Sequence, residues 1–79
     1  MNINLSKVIR YHRIKSGLTL AELADMAGVG KNMVYEVEKG RLSIQLDNLM
    51  KILNILNLTI ELKSPLMALF KRENPDENG

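Results

Sequence analysis

Cysteine is absent from this chain of 79 residues, and so is tryptophan. Without cysteine there is no disulfide framework and no thiolate metal site. With one phenylalanine and no tryptophan, the core must be built from aliphatic side chains. The single histidine, His12, lies on an apolar helical face and is read as a packed residue, because a histidine metal cluster would need a second member. No apolar run is long enough to span a bilayer, and no segment resembles a secretory signal. No glycine-rich phosphate cradle and no array of nucleophile, base and orienting group is present. The expectation is a soluble, cytoplasmic, non-enzymatic protein that needs no metal and no cofactor. A chain this short makes one domain whose core is marginal alone, and dimerisation is a common remedy.

A strong net charge is also missing, since the total is +2. The distribution is more informative. Lys7, Arg10, Arg13 and Lys15 fall on the first helical stretch with no acid among them, and Lys31, Lys39 and Arg41 follow later. Glu73, Asp76 and Glu77 collect near the end. The part before this acidic end is thus more basic than the total suggests, as a phosphate-binding surface needs.

The most informative segment is Gly17 to Gly40, GLTLAELADMAGVGKNMVYEVEKG. Thr19 and Glu22 have the spacing of a capping box. Leu20, Leu23, Ala24 and Ala27 recur at helical spacing, with alanines where a second helix must come close. Gly28 suits a left-handed helix end, Val29 an apolar plug, and Val34 and Val37 the inner face of a second helix closed by Gly40. This is the pattern of a helix-turn-helix, whose second helix can enter a DNA major groove.

Along the chain, a first helix is predicted from Leu5 to Ser16, capped by Asn4 or Asn2, with Leu5, Val8, Ile9 and His12 on one face. The motif helices run from Thr19 to Ala27 and from Lys31 to Lys39. A fourth, capped by Ser43, runs from Gln45 to Leu56 with Leu46, Leu49, Met50, Leu53 and Leu56 inward. It ends at Asn57, which tolerates the left-handed conformation. From Leu58 to Lys63 the period changes to two, which predicts a strand. Leu58, Ile60 and Leu62 would face the helices. A lone strand leaves its own donors and acceptors unpaired, so Leu58, Thr59, Ile60, Glu61, Leu62 and Lys63 are predicted to pair with the same segment of a second copy. Ser64 and Pro65 can open a short helix over Leu66 to Arg72, and the polar end from Glu73 is expected to be disordered. The division is therefore a domain over 1–64 and an appended apolar segment with its tail over 65–79.

At the exposed start of the third helix, Asn32 can pair with adenine, Lys31 with guanine or phosphate, Glu36 with a cytosine amino group and Met33 with a thymine methyl. Arg13 and Glu38 can form an ion pair between the first and third helices. Leu66, Leu69 and Phe70 would share one side of the last helix. They would pack on the protein's own dimer or dock on a partner protein.

Arg13, the GLT at Gly17–Thr19, the ELA at Glu22–Ala24, the AGV at Ala27–Val29 and the EKG at Glu38–Gly40 resemble the Cro/cI-type, or XRE-type, helix-turn-helix family. The later segment LDNLMKILNILNLTIEL is similar to its HipB-like antitoxin branch. The resemblance covers roughly residues 5 to 63. It implies a mainly α, lambda-repressor-like domain of four to five helices plus one short strand that pairs across a homodimer. It implies binding to double-stranded DNA at an inverted-repeat operator, repression of the chain's own operon and, in that branch, pairing with a HipA-type kinase toxin. By the same resemblance Lys31, Asn32, Met33 and Glu36 fall on base-reading positions. Thr19, Tyr35, Lys39, Gly40 and Arg41 fall at or near backbone-contacting ones, and Leu66, Leu69 and Phe70 are candidates for a toxin contact. Two departures stand out: Leu20 replaces a usual glutamine, and Gly30 replaces a common capping serine or threonine. The alternatives are a phage or restriction-modification regulator without a toxin, and an interaction module that keeps the fold with weak DNA binding.

Overall fold

The computed structural model describes residues 4–77. The helices are α1 (Leu5–Lys15), α2 (Leu20–Ala27), α3 (Lys31–Glu38), α4 (Leu46–Ile55) and α5 (Met67–Glu73), followed by a 3-10 turn at Pro75–Glu77. Asn4 caps α1, its Oδ1 accepting from the Lys7 amide at 3.1 Å. Asn2 lies outside the described residues. Ser43 does not cap α4: Gln45 holds that position without a side-chain bond. The carboxylate Asp47 in the first turn complements the helix dipole instead.

The first four helices end alike. After each, the chain turns through a residue of positive φ: Gly17, Gly28, Gly40 and Asn57. The next amide then reaches back five positions. Leu18 donates to the Arg13 carbonyl at 3.1 Å, Val29 to Ala24 at 3.0 Å, Arg41 to Glu36 at 3.0 Å and Leu58 to Leu53 at 2.9 Å. This closure satisfies carbonyls that a helix end leaves open, and an apolar residue often follows it into the core. Leu18, Val29 and Leu58 do so. Arg41 belongs to the site described below.

The core draws on four helices: Ile9 from α1, Leu23 and Ala24 from α2, Val34 and Val37 from α3, and Leu49, Ile52 and Leu53 from α4, with Leu56 just beyond. α2 packs on both α3 and α4, and α1 packs on α3. The predicted inward face of α4 needs correction. Leu49, Leu53 and Leu56 are buried as expected, but Leu46 is 67 % and Met50 43 % exposed, while Ile52 is fully buried. α4 carries apolar residues on more than one side, so periodicity alone did not choose its stripe.

Residues 58–63 form no strand in the single chain, and no strand occurs among the described residues. Within that set no main-chain hydrogen bond to another backbone group reaches residues 59–63. A strand is defined by its ladder, and one chain supplies no partner for this segment. Only Leu58 packs on the helices; Ile60 and Leu62 are 48 % and 76 % exposed, against the expected inward placement.

The polar end from Glu73 is expected to be disordered; Asn78 and Gly79 lie outside the described residues, but Glu73 and residues 75–77 are helical. Glu73 closes α5 and Pro75–Glu77 form a 3-10 turn. Neither Ser64 nor any other side chain caps α5. No residue of α5 is buried, and its principal contacts are with the 3-10 turn. The Cα radius of gyration is 14.8 Å, with extents of 43 × 25 × 24 Å. A compact chain of this length would have a radius of about 12 Å. α5 stands off the four-helix body.

Candidate nucleic-acid interface

The site is built by α2, the turn and α3. The Thr19 hydroxyl accepts from the Glu22 amide at 3.0 Å, and the Glu22 carboxylate accepts from the Thr19 amide at 2.8 Å. This reciprocal box fixes where α2 begins. The Thr19 amide and then its hydroxyl hold the Glu22 carboxyl below the usual carboxylate range. At the other end Gly28, at φ 73°, turns the chain so that Val29 drops onto the core. α3 therefore starts at a fixed angle to α2. Gly30 opens it without a side-chain cap, its carbonyl accepting from Met33 at 3.1 Å.

Val34 and Val37 anchor α3 inward, which turns Lys31, Asn32, Tyr35 and Lys39 outward. Met33 and Glu36 are half-buried on its flank. Asn32, Met33, Glu36 and Arg41 line one hollow of about 280 Å³ with Val37, Ser43 and Ile44. Three of the base-reading candidates are thus brought together with a cation, while Lys31 stands at the helix start. A second hollow, of about 210 Å³, is lined by Arg10, Arg13, Leu20, Tyr35, Glu38 and Lys39. The Lys39 ammonium lies 5.3 Å from the centre of the Tyr35 ring. Arg10 and Lys39 therefore place positive charge beside α3, with Leu20 as an apolar wall.

Arg41 Nη1 donates to Glu36 Oε2. That bond, and then the attraction of the carboxylate, raises the Arg41 pKa further. The sequence reading treated Glu36 and Arg41 separately, one for a base and one for the backbone. The signal for their pairing was present: Gly40 turns the chain at φ 94°, which folds the next residue back over the last turn of α3.

Arg13 is held from three directions. Its Nε donates to Glu38 Oε2 at 2.7 Å, its Nη2 to Glu38 Oε1 at 2.9 Å, and its Nη1 to the Leu18 carbonyl at 2.9 Å. The Arg13 and Glu38 side chains are only 12 % and 6 % exposed. The Glu38 bond dominates in raising the Arg13 pKa, against the opposing effect of burial. This fork ties the end of α1 to the end of α3 and to the loop before α2, so it fixes the reading helix. His12 is half-buried, and its Nδ1 donates to the Val8 carbonyl at 2.7 Å.

With a capped helix, a left-handed turn and an exposed second helix in place, comparison with known families is decisive. The helix-turn-helix family matches residues 9–63. The chain belongs to the XRE-type helix-turn-helix family. No curated protein matches the chain significantly. The matched span holds every residue of the site, and it stops before α5. Membership supports a DNA-binding transcription regulator. Among the described residues no helix is long and apolar enough to cross a membrane.

Proposed function

We propose that two copies of this helix-turn-helix protein bind an inverted-repeat operator and repress their own operon. The observation that carries the reading is the outward placement of Lys31 and Asn32 at the start of α3. Arg10 and Lys39 lie on one side of that helix and Arg41 on the other. Lys31 and Asn32, with Met33 and Glu36, read base edges. Thr19, Tyr35, Lys39, Gly40 and Arg41 meet the flanking backbone. The protein acts by binding alone, in the cytoplasm, without catalysis and without a cofactor.

The two copies pair through residues 58–63. Support comes from the period-two pattern together with the absence of main-chain partners for residues 59–63 among the described residues. The likeness of LDNLMKILNILNLTIEL to the HipB-like branch supports a further role as an antitoxin that binds a HipA-type kinase toxin.

Titration of the protein against the DNA upstream of its own gene, beside random DNA of equal length, tests the operator reading. Specific binding at least a thousandfold tighter than non-specific binding is the expected result; equal affinity for both would refute it. Sedimentation of an Ile60→Pro variant tests the dimer, since proline removes a ladder donor. Monomer is expected, and an intact dimer would place the two-fold interface elsewhere. Co-expression with the adjacent reading frame tests the antitoxin role.

A further inference from the structure

The helix that fails to pack on its own body and an open apolar groove elsewhere on that body point to the same event. α5 exposes Leu69 at 41 % and Phe70 at 46 %, with Leu66 just before it at 68 %. The body carries a groove of about 500 Å³ lined by Leu5 and Val8 of α1, Leu53 of α4, and Leu58, Thr59, Ile60 and Glu61. We propose that the two are complementary across the dimer: the α5 arm of each copy seats Leu66, Leu69 and Phe70 in the groove of the other. The proposal rests on the pairing of residues 58–63 put forward above.

The topology of that pairing selects the occupant. An antiparallel pair about a two-fold axis at Ile60 sets Leu62 of one copy opposite Leu58 of the other, on one face of the pair. The chain that leaves Lys63 and turns at Pro65–Leu66 therefore enters α5 beside the second copy's Leu58. That residue lines the groove, and Leu53, Leu5 and Val8 form its far side. The groove lies where the arm arrives, with no long linker to cross.

The interface also needs the arm. Two short strands alone are marginal in water, whereas a stable interface buries on the order of 1,200–2,000 Å². Two exchanged arms add three large apolar side chains each, and they cover Ile60 as well.

The lack of cysteine allows a direct test in the full-length protein. Chains carrying Thr59→Cys are mixed with chains carrying Leu69→Cys and oxidised. Thr59→Cys mixed with Glu61→Cys separately reports the strand pairing, since those positions oppose each other about the two-fold axis. The expected result is a covalent heterodimer in both mixtures. In addition, a Leu66→Ser/Leu69→Ser/Phe70→Ser variant should dissociate at least tenfold more readily while keeping its helical spectrum. A strand cross-link without an arm cross-link overturns the exchange and leaves the dimer reading standing. Loss of both cross-links removes the strand pairing and the exchange with it. A disulfide within one chain, in monomers of the Thr59→Cys/Leu69→Cys double variant, shows the arm folding on its own body and overturns the exchange. An unchanged dissociation constant in the serine variant also overturns it and assigns the apolar face to a different protein, such as a toxin.

Discussion

Replacing Glu38 by alanine leaves Arg13 with one of its three hydrogen bonds, that to the Leu18 carbonyl. Both members of the pair are largely enclosed, at 12 % and 6 % exposed, so solvent cannot fully take over the lost contacts. Removing one partner of a buried pair costs about 3–5 kcal/mol, because the remaining charge stays buried and uncompensated. A chain of this length has a total stability of roughly 4–12 kcal/mol. The loss is therefore a large fraction of the whole. In a domain of this size each kcal/mol moves the melting temperature by about 4–8 °C, so Glu38→Ala should melt at least about 12 °C lower. Circular dichroism melts and urea titrations measure this directly. Arg13→Met combined with Glu38→Leu should recover much of the loss, since it removes both charges and keeps apolar volume. A melting temperature within about 2 °C of the parent in Glu38→Ala, or additive effects of the two single substitutions, would refute this account. The fork would then be solvated and would not fix α3.

Asn32→Ala should cost about 1–3 kcal/mol in operator affinity, confined to one base position if Asn32 makes a bidentate contact; fluorescence anisotropy against single-base operator variants reads this, and equal loss on random DNA would assign Asn32 to the backbone. Arg41→Ala should flatten the plot of log affinity against log salt by about one unit if its guanidinium leaves Glu36 for a phosphate; an unchanged slope would mean that the Glu36 pair persists on DNA. Gly28→Ala should destabilise by roughly 1–2 kcal/mol through left-handed strain alone, because a Cβ there meets nothing within 4 Å; urea titration should rank Gly28→Asn closer to the parent. The Glu22 carboxyl, held low by Thr19, contributes stability above the unfolded carboxylate pKa of about 4.3, and that contribution is lost as pH falls through its lower folded value. The melting-temperature gap between the parent and Glu22→Gln should accordingly close on acidification from about pH 6 to pH 3, and a gap independent of pH would assign Glu22 no charge-dependent role.

What the sequence determined by itself is local. The Thr19–Glu22 box, the left-handed closures at Gly28 and Asn57 and the inward valines of α3 each depend on groups within a few residues, so their spacing in the chain carries the information. The Arg13–Glu38 fork spans the domain, yet it was legible too. Both ends are fixed by helices whose phase the sequence sets, and a carboxylate facing a guanidinium between two such helices has one geometry to adopt. Tertiary structure alone decided the rest. α4 is apolar on several sides, and only its packing on α2 chose Ile52 over Leu46 and Met50 for the core. Residues 58–63 announced a strand by their alternation, but alternation encodes only which side chains share a face. A ladder needs a second backbone, and one chain folded alone leaves Ile60, Leu62 and the apolar side of α5 facing water.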